Sequence, residues 1–151
     1  MKNLSPLWLI SLSGIALLIS CTKPSNTTNS NNTGPFISAL VNGTSVTATT
    51  VAAAYANGVL QAEGGISLTS SLEIATDSTA PGNYPVTSAG INGFEYFKNS
   101  NTAYKSSSGA VVITSFANKI VIGTFSGWAK NVTGGSDSVN ITKGAFNIKL
   151  Q

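Results

Sequence analysis

From Phe36 to Asn131 the chain returns repeatedly to one device: a short run rich in β-branched and apolar residues, a tight reversal, then another such run. Asn42-Gly43 interrupts "FISALVNGTSVTAT" (36–49), and Asn57-Gly58 interrupts "AAAYANGVLQAE" (52–63). Asn118-Lys119 separates "GAVVITSFA" (109–117) from "IVIGTFSGWAKN" (120–131). A two-residue reversal that matches strand twist needs positive φ at both central positions, which Asn and Gly tolerate, so each of these predicts an antiparallel hairpin. "ISLTSSLEIAT" (66–76) reads as one half-buried strand with Ile66, Leu68, Leu72 and Ile74 alternating inward. Pro81-Gly82 predicts a turn, followed by a short strand about Tyr84 that Pro85 confines to an edge or an end. "FEYFKN" (94–99) and "TAYKSS" (102–107) read as further short strands.

The closing run "DSVNITKGAFNIKL" (137–150) carries an irregularity. Val139 and Ile141 share one parity, whereas Phe146, Ile148 and Leu150 share the other. A slip of one residue turns every side chain over, so an extra residue has to be absorbed between them. A bulge at Lys143-Gly144, with the glycine left-handed, would do this. No window of about 15 residues beyond the first 34 sustains a helical period. The fold class is therefore all-β: an antiparallel β-sandwich or partly open barrel of about eight to ten short strands, occupying residues 35–151.

The first 34 residues are of another kind. Lys2 followed by "LWLISLSGIALLIS" has the charge and apolar run of an export signal over residues 1–20, interrupted too often for a spanning helix. Leu18-Ile19-Ser20-Cys21 resembles the lipobox of bacterial lipoprotein precursors, in which the cysteine is acylated and becomes the mature N-terminus. Cys21 is the chain's single cysteine, so it has no intrachain disulfide partner. Acyl chains hold a protein at about 0.8 kcal/mol per buried CH₂, and more than one is needed for a durable hold. Residues 21–34 then read as the lipidated Cys and a tether with no apolar side chain to bury. Thr22 in place of Asp, and a tether without acids, resemble lipoproteins sorted to the outer membrane on its periplasmic face.

Charge is sparse: eight Lys and no Arg stand against five acids. With no basic cluster, nucleic acid is excluded as a partner. The sequence has no His, which removes the Ser-His-Asp triad and most zinc and copper sites, and no cofactor or metal is expected. A glycosidase needs two carboxylates facing each other across a cleft. Glu63, Glu73 and Glu95 read as solvated strand residues, with no obvious partner for Glu73, while Asp77 and Asp137 fall in turns.

Phe94, Tyr96, Phe97 and Tyr104 crowd one short stretch, and alternate rings of such a stretch belong in the core. Whichever ring stays outside makes Tyr96, Phe97 and Tyr104 the ligand-contact candidates for a sugar or a peptide. "DST" (77–79) and "DSV" (137–139) resemble the O-glycosylation sites of exported Bacteroidota proteins, which implies Ser78 and Ser138 as acceptors.

The strand "FISALVNG", the "GNYPV" element, "GAVVIT", "IGTFSGWA" and the closing "VNITKGAFNI" together are similar to a family of small Bacteroidota lipoproteins of unknown function, over about 36–150. Gly127 stands where that resemblance implies an aromatic. The family implies an all-β lipoprotein domain and assigns no activity. The expected function is thus a non-enzymatic binding or envelope-structural module, held by membrane lipid and meeting a glycan or an envelope protein. The alternative is a carbohydrate-active hydrolase or glycan-binding lipoprotein.

Overall fold

The computed structural model describes residues 34–151. The expected export signal, the acylation candidate Cys21 and the expected tether up to residue 33 lie outside the described residues. The domain is all-β and antiparallel throughout. In chain order its strands are β1 (Phe36–Val41), β2 (Thr44–Thr47), β3 (Thr50–Ala56), β4 (Val59–Gly65) and β5 (Ser71–Thr76). They continue with β6 (Gly82–Thr87), β7 (Gly93–Asn99), β8 (Thr102–Ala117), β9 (Ile120–Asn131) and β10 (Ser138–Lys149). One sheet of order β2-β1-β10-β9-β8-β7-β5-β4-β3 holds nine of them, and β6 pairs with β8 beside this path.

The three Asn-led reversals are tight hairpins, with positive φ at Asn42 and Gly43, Asn57 and Gly58, and Asn118 and Lys119. Pro85 lies in β6, which pairs on one side only, the edge setting in which a strand tolerates proline. The sheet curls into a half-barrel in which the turn after β2 touches β4 at one corner. A Cβ on Gly64 of β4 would stand 2.7 Å from Ala48 Cβ and 3.2 Å from Ile37 Cβ, so only glycine permits this approach. The backbone at Ala48-Thr49 carries the chain from one end to the other: Ala48 N–H donates to the Ile37 carbonyl at 2.9 Å and Thr49 N–H to the Gly65 carbonyl at 2.8 Å.

Inside, Phe125 packs between Phe94, with ring centroids 5.4 Å apart, and Phe146 at 6.5 Å. Each of these rings is buried, together with Ile37, Leu60, Leu72, Ile74, Ile141 and Ile148. Burying one such side chain stabilises by about 1.5–3 kcal/mol. The Phe of the "GTFS" run is thus the centre of the core.

Three sequence expectations need correction. Residues 66–70 are not strand: β4 and β5 pair through Gly65 and Ser71, so the chain must reverse between them. Ile66 and Ser67 N–H both donate to the Ser70 carbonyl in that reversal, and Leu68 is fully exposed. The runs at 102–107 and 109–117 are a single strand of 16 residues whose register shifts between Ser106 and Ser108 and again between Ile113 and Ser115. The shift in β10 does fall between Ile141 and Gly144, and it returns Val139, Ile141, Phe146 and Ile148 to one buried face. The left-handed residue there is Lys143, at φ 51°, rather than Gly144. Glycine is needed at 144 for space, since a Cβ would overlap the Phe125 carbonyl oxygen and lie 2.7 Å from its ring.

Candidate functional site

Strand alternation sends Ala62, Ile74 and Phe94 into the core and their neighbours Glu63, Glu73 and Glu95 to the opposite face. β5 pairs with β7 because β6 lies elsewhere, so the three glutamates fall in one line: Glu63 opposite Glu73, and Glu73 opposite Glu95. The line continues through Lys105, Lys130 and Ser138, each directly opposite the last. Adjacent strands are about 4.8 Å apart, so this row measures about 24 Å across the outer face. Sequence spacing alone gave Glu73 no partner; the topology gives it two.

Like charges directly opposite on a sheet are destabilising. Burial pushes the Glu73 carboxyl above its ordinary value of 4.5, and the neighbouring charges of Glu63 and Glu95 push it further. Glu95 is relieved on its other side by Lys105, whose Nζ lies 3.4 Å from Oε1. The glutamates line a groove of about 560 Å³ walled by Gln61, Lys105 and Ile91, the last from the loop after β6.

Further along the row, a second depression of about 450 Å³ is lined by Trp128, Lys130, Ser88, Ser107, Ser108 and Ser138. The indole of Trp128 is 51% exposed. The register shift in β8 frees Ser107 from the ladder, and its hydroxyl donates to the Trp128 carbonyl at 3.3 Å. Next to it, Gly109 and Gly127 stand opposite each other at φ 121° and 151°. A Cβ on either would come within 2.8 Å of the other's Cα, so this pair excludes the aromatic that the family resemblance implied at 127. What the outer face offers is therefore a polar track with carboxylates at one end and an exposed indole among hydroxyls at the other.

The sequence-predicted ring cluster divides differently. Phe94 is core, and Tyr96 stacks on Tyr104 at 6.1 Å. Tyr104 is not a surface ring: it is 4% exposed, because its strand position faces inward beside Leu72 and Tyr96. Its hydroxyl donates to Asp137 Oδ2 at 2.6 Å, and Asn131 Nδ2 donates to Oδ1 at 2.7 Å, pinning the turn before β10. These bonds hold the Asp137 carboxyl below its usual range, while the bond to Asp137, burial and the nearby charge push the Tyr104 phenol up. Tyr96 and Phe97 are both half-buried and sit on opposite faces, with Phe97 across from Ser71 and Ala103.

Ser78 is half-buried in the turn after β5, where its Oγ accepts the Ala80 N–H at 3.0 Å. Ser138 is exposed and belongs to the Trp128 depression. Asp77 bonds to Asn92 rather than to another acid. Among the described residues no group of three or more His, Cys, Asp or Glu is disposed to hold a metal ion.

Residues 33–148 match the family model of a domain of unknown function, DUF6252. The chain belongs to this family. This chain has no match among the curated proteins or the solved structures. Family membership covers nearly all the described residues and therefore includes the glutamate row and the Trp128 depression, but it assigns neither of them a role.

Proposed function

We propose that this is a lipid-anchored, non-catalytic module of the bacterial envelope that binds an extended glycan along its outer polar track. The observation that carries the reading is the continuous row from Glu63 to Ser138, flanked by an exposed Trp128. An indole face stacks on a sugar ring, which has an apolar side of C–H bonds. Carboxylates and serine hydroxyls accept and donate the hydrogen bonds that a polyhydroxylated chain requires. The row is shallow and follows the curved outer face for about 24 Å, which suits an extended ligand more than a compact one.

The same geometry favours binding over hydrolysis. Glycosidic cleavage places its two carboxyl groups on opposite sides of the scissile bond. Here the three glutamates stand side by side on one sheet face and point the same way. The anchor belongs to this reading through the lipobox-like "LISC" and the apolar run before it, with acylated Cys21 holding the module at the outer membrane, periplasmic face, Ser78 as its glycosylation site and Ser138 kept free for the track. Bacteroidota is the source that the sequence pattern supports.

A glycan array probed with the full chain and with Trp128→Ala tests the binding reading. The expected result is a set of related extended glycans bound by the wild type and lost in the variant, with melting unchanged because Trp128 lies outside the core. A blank array, or binding indifferent to Trp128, would count against the track.

A further inference from the structure

The curled sheet leaves strand edges open, and they are not alike. β2 ends the order on one side but has only four residues, and β6, which pairs on one side, carries Pro85. Short length and proline are both devices that discourage further pairing. β3 ends the order on the other side and has neither. Its seven residues, "TVAAAYA", contain no charge and no proline, and among the described strands it pairs only with β4. Ala52, Ala54, Tyr55 and Ala56 are exposed, with Tyr55 at 47%. Such an edge presents a row of backbone N–H and C=O groups that an extended chain can satisfy.

We infer that β3 is the pairing edge for a second copy of this chain, strand against strand and antiparallel, about a twofold axis at Ala53. The sequence of β3 is self-complementary in that register. Ala53 then faces its counterpart, Ala52 faces Ala54, and Val51 faces Tyr55 of the second copy. The last pairing covers an exposed ring with a β-branched side chain, a favourable cross-strand combination. Charge selects the same register. Glu63 lies opposite Ala52, and Gln61 lies opposite Ala54. Centring on Ala53 therefore continues the glutamate row of one copy into a neutral glutamine of the other. Centring on Ala52 would bring the two Glu63 side chains into one line, and centring on Ala54 would leave Tyr55 against alanine. The interface is isologous and closes on itself, so it yields a dimer and not a fibre. In the dimer two outer tracks belong to one continuous sheet.

The test is sedimentation of the full chain over a concentration series, with disulfide cross-linking of Ala52→Cys chains mixed with Ala54→Cys chains alongside. The wild type, with Cys21 as its single cysteine, gives the background, and each variant alone gives the control for register, because position 52 faces 54 and not itself. The expected results are a concentration-dependent dimer, cross-linking of the mixture well above either variant alone, and a weakened dimer in Tyr55→Lys, which loses the ring that Val51 of the second copy covers. Ala52 and Ala54 are exposed, so both thiols are open to oxidation and neither variant touches the core. A monomer at every concentration, a mixture that cross-links no faster than either variant alone, or a dimer indifferent to Tyr55→Lys would overturn the inference. So would cross-linking of position 52 or 54 to a different protein in place of a second copy.

Discussion

A single carbon added at Gly144 probes the packing of the core against the irregularity in β10. The Cβ would overlap the Phe125 carbonyl oxygen and lie 2.7 Å from two atoms of its ring, well inside an optimal carbon separation of about 3.5–4.0 Å. Phe125 is 2% exposed and is held by Phe94 and Phe146, so the ring has nowhere to retreat. Overpacking of this kind costs about 1–3 kcal/mol, and involvement of a backbone carbonyl places Gly144→Ala in the upper part of that range. At roughly 4 °C per kcal/mol for a domain of this size, the melting temperature should fall by roughly 8–12 °C. The neighbouring residue should respond in the opposite sense. Lys143 is held at φ 51°, a conformation that costs a side-chain-bearing residue about 1–2 kcal/mol. Lys143→Gly relieves this against an added unfolded-state freedom of about 0.5–1 kcal/mol, so its expected effect is neutral to slightly stabilising. Thermal or urea unfolding followed by circular dichroism reads both. Gly144→Ala melting with the wild type, or Lys143→Gly melting well below it, would refute the assignment of space to one residue and backbone strain to the other.

Cys21→Ser should release the protein from the membrane fraction and abolish lipid labelling while its melting stays that of the wild type; unchanged detergent-phase partitioning would contradict the anchor. Glu73→Gln should stabilise the domain at neutral pH. The native state holds the Glu73 proton to higher pH than the unfolded chain, so stability should decline as pH rises from about 4.5 through the raised pKa, and Gln should flatten that slope. Asp137 has the opposite sign: its lowered pKa means stability lost as pH falls below its ordinary 3.8, which Asp137→Asn should remove from an acid titration followed by fluorescence. Tyr104→Ala removes a buried ring and should cost about 3–5 kcal/mol in urea unfolding, in contrast to the near-silent Trp128→Ala.

The local chemistry of this fold is readable from the sequence where a residue type answers a backbone need. Asn42-Gly43, Asn57-Gly58 and Asn118-Lys119 announce their hairpins because few residues tolerate successive positive φ. The change of parity between Ile141 and Phe146 announces the irregularity in β10, although not which residue would bear the strain. Leu68 misleads because alternation over a short polar stretch looks the same in a strand and in a reversal. The glutamate row is of a different order. Glu63 and Glu73 align through the register of the β4–β5 pair, and Glu95 joins them only because β6 leaves the path and lets β7 pair with β5. Tyr104 looks like Tyr96 or Phe97 in the sequence, and only its place on the inner face separates them.

The most direct measurement on the central claim is calorimetric titration of an array-selected extended glycan into the full chain, followed by mass spectrometry of the recovered glycan. The expected results are saturable binding to the wild type, loss of that binding in Trp128→Ala, weakening in Glu73→Gln, and a glycan recovered intact after prolonged incubation. Shortened glycan products that require Glu73 would contradict a non-catalytic module, and binding that ignores both substitutions would contradict the track.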